Sequence, residues 1–478
     1  MSSKKVSKYK IGCHIFRRDY RIIDNTALNK ALSQCETVIP IFIFTYKQIR
    51  DNSYKSNNCV QFLCESLLDL NEALKSRNSR LFIFYGDEMK TLKQILKHEN
   101  IEALFFNIDA TAYSKTRDAD ILTLCNEMKI ACNTYEDITL LPFGTVMTGD
   151  HKMYSKYTPY YRAHLKHTIN TPTTVKADVF ITEKHQIPLE IGSDALSKGI
   201  FHDKIHNEKL IARGGRTPAL KILQGITKLK DFKDYNDRRN ELMYPTTHLS
   251  AYNKFGCVSI REVYHTIKDS LGISSQLIQQ LIWRDFFYNI SWFHPEIYKM
   301  SLNPKWRDIV WEKNDKIFGA WCSGKTGFPI VDAAMTEINT TGFMHNRGRL
   351  IVSNFLVRML GIDWRRGEHY FATKLYDYDP AQNNMGWQVS GGSVSGTEGR
   401  FFTQTILNPV IQAKKFDGSG NYIKQWLPVL KDIPAAHLHD WEKYNTLHPD
   451  LDYPKPIIEY LKAKEKSIKQ YKDALKKH

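Results

Sequence analysis

The sequence predicts an α/β plus all-α protein. An N-terminal domain with a doubly wound parallel sheet is followed by a long connector and a C-terminal helical domain. Three observations predict this. Up to residue 140, short apolar runs alternate with amphipathic stretches. From 141 to 215, prolines (142, 159, 172, 188) and mixed polar residues interrupt every period. From 216 to 478 the apolar spacing is helical almost throughout. Strands that alternate with helices argue for βαβ units and a sheet covered on both faces.

Taken in order, the apolar runs 10–16, 37–45, 80–85, 103–107 and 129–134 predict five strands. The amphipathic stretches 25–34, 58–77, 89–98 and 116–128 predict the helices between them. No GxGxxG follows the first strand, where the sequence is CHIFRRDYRIIDNTAL, so the ordinary dinucleotide fingerprint is missing. Further along, helices are predicted over 219–232, 259–271, 276–293, 330–340, 347–360 and 363–373. No internal repeat occurs.

A chain of 478 residues has room for two cores, and 42% hydrophobic with 12% aromatic residues suits a well-packed protein. No apolar run is long enough to predict a membrane span. The N-terminal MSSKKVSKYK lacks the apolar middle of a signal peptide, and the eight cysteines include no CxxC pair. An intracellular, reduced chain without zinc or disulfides is the expectation, and a monomer is expected. The net charge of +16 favours polyanionic partners such as nucleic acid. Some of that excess is a lysine-rich stretch near the end, whose helical spacing reads as a solvated face.

The stretch 342–387 carries the most chemistry. Asn346, Arg347, Arg349, Asp377, Asp379, Asn383 and Asn384 stand among Met344, Leu350, Ile351, Phe355, Trp364 and Trp387, inside segments with the apolar rhythm of core helices. Buried polar groups are costly unless they are paired or meet a polar ligand. The pattern predicts either an unusually polar core or a large cofactor of mixed polarity; the cofactor is the reading adopted.

Several long motifs, in order, give this chain a resemblance. FRRDYRIIDNTAL resembles the FRRDLRLxDNxAL opening of photolyases and cryptochromes. GKTGFPIVDAAM (324–335), TGFMHNRGRL (341–350), DWRRGEHYF (363–371), YDYDPAQNNMGWQ (376–388) and NYIKQWLPVL (421–430) resemble that family's flavin domain. The resemblance implies a Rossmann-like α/β domain, a linker and a helical domain holding FAD. It implies that Tyr235 and Thr246, Thr247, His248, Leu249 and Ser250 hold the phosphates and ribityl chain, where short hydroxyls and backbone N–H groups suit phosphate. Read from the residues alone, TTHLS is equally an ordinary helix N-cap. Arg284 is carried over as a further cofactor contact. Arg349 and Asp377 match an ion pair beside the flavin ring, Asn383 the amide facing flavin N5, and Asp379 another flavin-facing carboxylate. Trp387, Trp364 and Trp311 match a chain that delivers electrons from the surface, whereas Trp321 is read as packing. An antenna chromophore, folate or deazaflavin, is left open; Asn107 and Asp109 lie in the region that would hold it.

The implied partner is UV-damaged DNA, with the lesion flipped out over the flavin. Where 6-4 photolyases carry a histidine pair, this chain has Asn346 and Leu350, so the form MHNR resembles enzymes that split cyclobutane pyrimidine dimers. Asn346 and Arg347 would contact the lesion and its phosphate, and Trp283 would stack on it. Two positions depart from that pattern. Gln280 replaces a glutamate, as in 6-4 photolyases and animal cryptochromes, and Val389 replaces a second aromatic wall, unless the loop 390–400 supplies a substitute. Arg239, Arg400, Lys414 and Lys415 are candidate phosphate contacts. The alternatives are a 6-4 photolyase, a cryptochrome-like photoreceptor and a non-photochemical flavoprotein that binds nucleic acid.

Overall fold

A computed structural model describes residues 7–198, 201, 206–392, 394 and 406–478. The chain forms two compact units. The first comprises residues 1–206, 212–233 and 247–295; the second comprises 207–211, 234–246 and 296–478. Each is described on its own.

The first unit is built on β1 (Tyr9–Ile15), β2 (Cys35–Thr45), β3 (Phe82–Gly86), β4 (Ala103–Asn107) and β5 (Ala131–Tyr135). All pairings are parallel, and the order β3-β2-β1-β4-β5 places the reversal of winding at β1, as a doubly wound sheet requires. The crossovers are α1 (Thr26–Gln34), α2 (Asn57–Lys75), α3 (Glu88–His98) and α4 (Ala112–Met128). The side chains of Asn25, Ser56, Asp87 and Thr111 each accept a backbone N–H at the start of these four helices. Such a cap is worth about 1 kcal/mol.

The Thr111 cap explains one boundary difference. Helix α4 starts at Ala112, four residues before the predicted start, because the hydroxyl fixes a first turn whose Ala-Tyr-Ser sequence carries no apolar period. The connector is more regular than its composition predicts. It contains α5 (Tyr157–His164), and Phe180 bridges in parallel to Val38 of β2. The remaining labelled helices of this unit are α6 (Arg216–Gln224), α7 (Leu249–Phe255), α8 (Ile260–Leu271) and α9 (Gln276–Phe293).

The second unit is helical: α10 (Pro329–Thr341), α11 (Asn346–Asn354), α12 (Trp364–Lys374), α13 (Pro380–Ser390), α14 (Pro409–Phe416), α15 (Asn421–Trp426) and α16 (Tyr460–Leu475). The predicted helix 347–360 is α11 followed by a π-turn over Phe355–Met359. One core runs through Trp321, Ile338, Met344, Ile351, Phe355, Trp364, Phe371 and Trp387. Among the described residues no helix is long and apolar enough to cross a membrane.

Candidate functional site

In the second unit, α11 organises the polar residues of 342–387. His345 caps it, its Nδ1 accepting from Arg347 N at 3.0 Å. An accepting Nδ1 carries no proton, so the ring is neutral there with its hydrogen on Nε2. Asn346, the first helical residue, is exposed, and two arginines in the same turn go to different partners. Arg347 donates to Asn240 Oδ1 at 2.5 Å and lies 4.2 Å over the Phe416 ring, while its Nε is buried without a hydrogen-bond partner among the described residues. Burial, then the charge of Arg239, pulls the pKa of this guanidinium down. Leu242 N donates to Phe416 O at 3.1 Å, tying the 239–242 segment to α14, whose last turn exposes Lys414 and Lys415. Of the five basic residues predicted to contact nucleic acid, four (Arg239, Arg347, Lys414, Lys415) therefore lie on three segments linked by hydrogen bonds. The fifth, Arg400, lies outside the described residues, as does most of the 390–400 loop.

Arg349 turns to the other set. Its Nη2 donates to both oxygens of Asp377, at 3.0 and 2.9 Å, and its Nε to Met344 O at 2.9 Å. Asp377 is buried and Arg349 half-buried. The amide of Asn383 is oriented by chemistry: Nδ2 donates to Glu368 O at 3.1 Å and to Glu368 Oε1 at 2.9 Å, which leaves Oδ1 as its accepting end. Asp379 has a structural use as well. Its Oδ1 caps α13 by accepting from Ala381 N and Gln382 N.

The three tryptophans of the predicted electron chain share one core. Trp387 and Trp364 are buried in it and half-buried Trp311 packs against it. Glu312 N donates to Gly361 O at 2.9 Å, and this bridge brings the Trp311 and Trp364 segments together. Trp387 is seated over Gly367, where a Cβ would come 2.2 Å from its ring. Its ring neighbours are Phe371 at 5.0 Å and Trp321 at 6.0 Å. Trp321 is fully buried and donates Nε1 to Val352 O at 3.0 Å, the behaviour of a packing residue.

Tyr235 is half-buried, with its ring 6.3 Å from that of Tyr244. Thr246 is half-buried, and in the first unit Thr247 Oγ1 accepts from Leu249 N at 3.3 Å. His248 holds the left-handed backbone that starts α7, Leu249 is buried and Ser250 is exposed.

On α9, Gln280 and Trp283 are half-buried and share a face at i, i+3. Arg284 is buried and donates to the carbonyls of Ile138 and Asn253. Asn107 is spent on Asp19, Asn25 and Ala27 N, and Asp109 on Arg18 and Ala110 N. A small cleft opens instead near the carboxyl ends of β2 and β3, lined by Tyr46, Asp87, Glu88, Tyr113 and Arg117.

Glu337, Glu368, Asn240 and Phe416 were not among the predicted site residues. The acidic residues were visible only as charges inside otherwise apolar helices; Asn240 and Phe416 gave no signal, because their partners are distant in sequence. Glu337 Oε2 accepts from Tyr422 OH at 2.6 Å and from His345 N at 3.4 Å, next to the cap of α11. Burial pushes its carboxyl from 4.5 up to about 7, opposed by Tyr422, His345 N–H and the charge of Arg349. The folded state thus keeps a proton that the unfolded chain releases. The stability this contributes is full below about pH 4.5 and is lost as pH rises through about 7. Both donors use one oxygen, so an amide can keep them. Glu337→Gln is expected to melt about 2–4 °C above the unsubstituted protein at pH 8 and level with it near pH 5. Thermal melts at the two pH values check this.

Comparison with known proteins decides the family. Residues 13–177 match the DNA photolyase model and residues 277–473 the model for the FAD-binding domain of DNA photolyase. The deoxyribodipyrimidine photo-lyase of Salmonella typhimurium is 31% identical over 96% of this chain and 98% of its own. The chain belongs to the photolyase and cryptochrome family. An archaeal photolyase from Sulfolobus tokodaii, whose structure holds two FAD molecules, superposes with a TM-score of 0.85 at 34% identity, covering 97% of this chain and all of the other. A cryptochrome from Synechocystis superposes with a TM-score of 0.86 at 25% identity, over 97% of this chain and 99% of its own. The α/β-plus-helical architecture and the FAD-binding domain expected from sequence are those of this family, which acts on damaged DNA.

Proposed function

We propose that this chain is a blue-light-driven DNA repair enzyme that splits cyclobutane pyrimidine dimers and acts as an intracellular monomer. The single observation that carries the reading is the division of labour within the first turn of α11. Arg349 is committed to Asp377, beside the segment that carries Asn383. Arg347, two residues earlier, is held by Asn240 and Phe416, with a buried Nε that has no hydrogen-bond partner among the described residues. A flavin-suited set and a phosphate-suited set therefore start from one helical turn.

The residues fit FAD. Arg349 supplies a cation fixed by a buried carboxylate, and Asn383 an accepting oxygen suited to a flavin N–H. Tyr235, Thr246–Ser250 and Arg284 remain the proposed contacts for the rest of the cofactor, and Asp379 combines any such contact with its cap. When bound, reduced FAD supplies the light-driven electron. The protein's own share is to bind and orient. Arg347, Arg239, Lys414 and Lys415 take phosphates, Asn346 and Gln280 hydrogen-bond the extruded bases, and Trp283 stacks on them. The buried pair Trp387 and Trp364, with Trp311 towards the surface, offers a path for recharging the cofactor.

Cyclobutane rather than 6-4 chemistry follows from Asn346 and Leu350, neither of which can act as an acid at neutral pH. Gln280 favours the 6-4 product, and Val389, 42% exposed, offers no second ring. The test is anaerobic blue-light repair of two oligonucleotides, one with each lesion. Light-dependent loss of the cyclobutane dimer alone is expected. Loss of the 6-4 product alone would reverse the lesion assignment, and loss of neither would end the repair reading in favour of a photoreceptor.

A further inference from the structure

The connector that sequence analysis left nearly structureless supplies α5, which lies along α9 through an aromatic and polar ladder. Tyr157 stacks flat on Trp283, with ring centroids 3.5 Å apart and planes 9° apart. Tyr157 OH donates to Gln279 O at 3.0 Å, which fixes the phenol over the indole. One turn on, buried Tyr160 receives Asn289 Nδ2 at 3.1 Å and packs 5.1 Å from Phe286. His164, a turn further, sits 3.5 Å from Asp285. The edges of Trp283 are bounded by Phe286 at 5.8 Å and Phe287 at 5.4 Å.

We propose that Tyr157 is a positioning residue for lesion recognition: it occupies one face of Trp283, holds the indole in one orientation and leaves a single face for the flipped pyrimidine. This rests on the reading of Trp283 as the stacking wall. An indole has two π-faces, and a wall free to rotate would lose entropy each time a base stacks on it. Tyr157 removes that freedom beforehand, the general advantage of preorganisation. With Val389 in place of a second ring, discrimination rests more heavily on this one wall.

The test uses the FAD-loaded full-length protein and an oligonucleotide with and without a cyclobutane dimer. Tyr157→Ala is expected to weaken dimer binding and raise KM by about 3- to 10-fold, the size of one aromatic pair. The repair rate at saturating substrate, FAD content and affinity for undamaged DNA should stay unchanged. Tyr157→Phe, which keeps the ring and loses only the bond to Gln279, should fall within about 2-fold of the unsubstituted protein. The double variant Tyr157→Ala/Trp283→Ala should bind no more weakly than Trp283→Ala, because Tyr157 acts only through Trp283. Tighter dimer binding by Tyr157→Ala would overturn the proposal, since Tyr157 would then be blocking the lesion's own face. Additive losses in the double variant, or an equal loss on undamaged DNA, would also overturn it. If the unsubstituted protein does not prefer the dimer and Trp283→Ala changes nothing, the lesion reading fails and the proposal falls with it. If those two controls behave as expected and Tyr157→Ala does not, the proposal alone fails.

Discussion

Asp332→Asn is expected to destabilise the second unit by roughly 3–5 kcal/mol, the largest effect on stability of any substitution considered. Asp332 is fully buried on α10, and both of its oxygens are doubly used. Oδ1 accepts from Thr326 N at 2.8 Å and Thr326 Oγ1 at 2.6 Å; Oδ2 accepts from Gly327 N at 3.0 Å and Tyr453 OH at 2.5 Å. An asparagine has one accepting oxygen, so its NH₂ must face two donors. The hydroxyl on that side can turn and accept from the NH₂, but the buried backbone N–H loses its partner and meets another donor, at about 1–3 kcal/mol, and the remaining donors exchange a bond to a carboxylate for a weaker one to a neutral amide. The contrast with Glu337→Gln is the physical point, because there both donors share one oxygen and the amide is tolerated. Burial drives the Asp332 carboxyl up to about 6 against its four donors, so the unsubstituted protein also gains stability as pH falls from that value. Urea unfolding at pH 7.5 measures the difference. A loss below about 1 kcal/mol would show that the four-donor clamp contributes little.

The same clamp explains a motif whose role the resemblance left unstated. In GKTGFPIVDAAM, Thr326 and Asp332 close the turn that leads into α10. Gly327 holds a φ of +74° against the Lys455 carbonyl, where a Cβ would come within 2.2 Å. These residues close the turn before α10 and hold it to the 453–455 segment.

Legibility followed the range of the physics. Strands and helices of the first unit were visible because sheet and helix periods differ, and two of the boundary shifts have a local cause, the cap at Thr111 and the left-handed residue Lys129. Helix α5 was invisible because its buried side is tyrosine and histidine, whose polar ends mask an apolar period. Polar residues of 342–387 announced a site, but their division into an Arg347 set and an Arg349 set depends on Asn240, Phe416 and Asp377, partners that no local pattern selects. Arg284, assigned to the cofactor by resemblance, also donates to two backbone carbonyls, distant partners of the same kind.

Arg349→Leu is expected to weaken FAD binding by up to about 30-fold while leaving the apoprotein folded. Removing one partner of a fully buried ion pair costs about 3–5 kcal/mol, mostly from the charge left behind. Here the arginine is 26% exposed and Asp377 2%, so solvent screens part of the interaction and about 2 kcal/mol is the discounted figure; only the share realised on FAD binding enters Kd, which sets a ceiling of about 30-fold. Leucine also gives up the donation from Nε to Met344 O, whose segment leads into the α11 cap. Arg349→Lys keeps the charge but lacks the planar fork that reaches both the Met344 carbonyl and the Asp377 carboxylate, so it should recover only part of the loss. Titration of apoprotein with FAD, read by quenching of flavin fluorescence, separates the cases. An intermediate Kd for the lysine variant is expected of a charge that the cofactor senses. An unchanged Kd in Arg349→Leu, with an unchanged melting temperature of the apoprotein, would remove the pair from the flavin site and return Arg349 and Asp377 to ordinary packing.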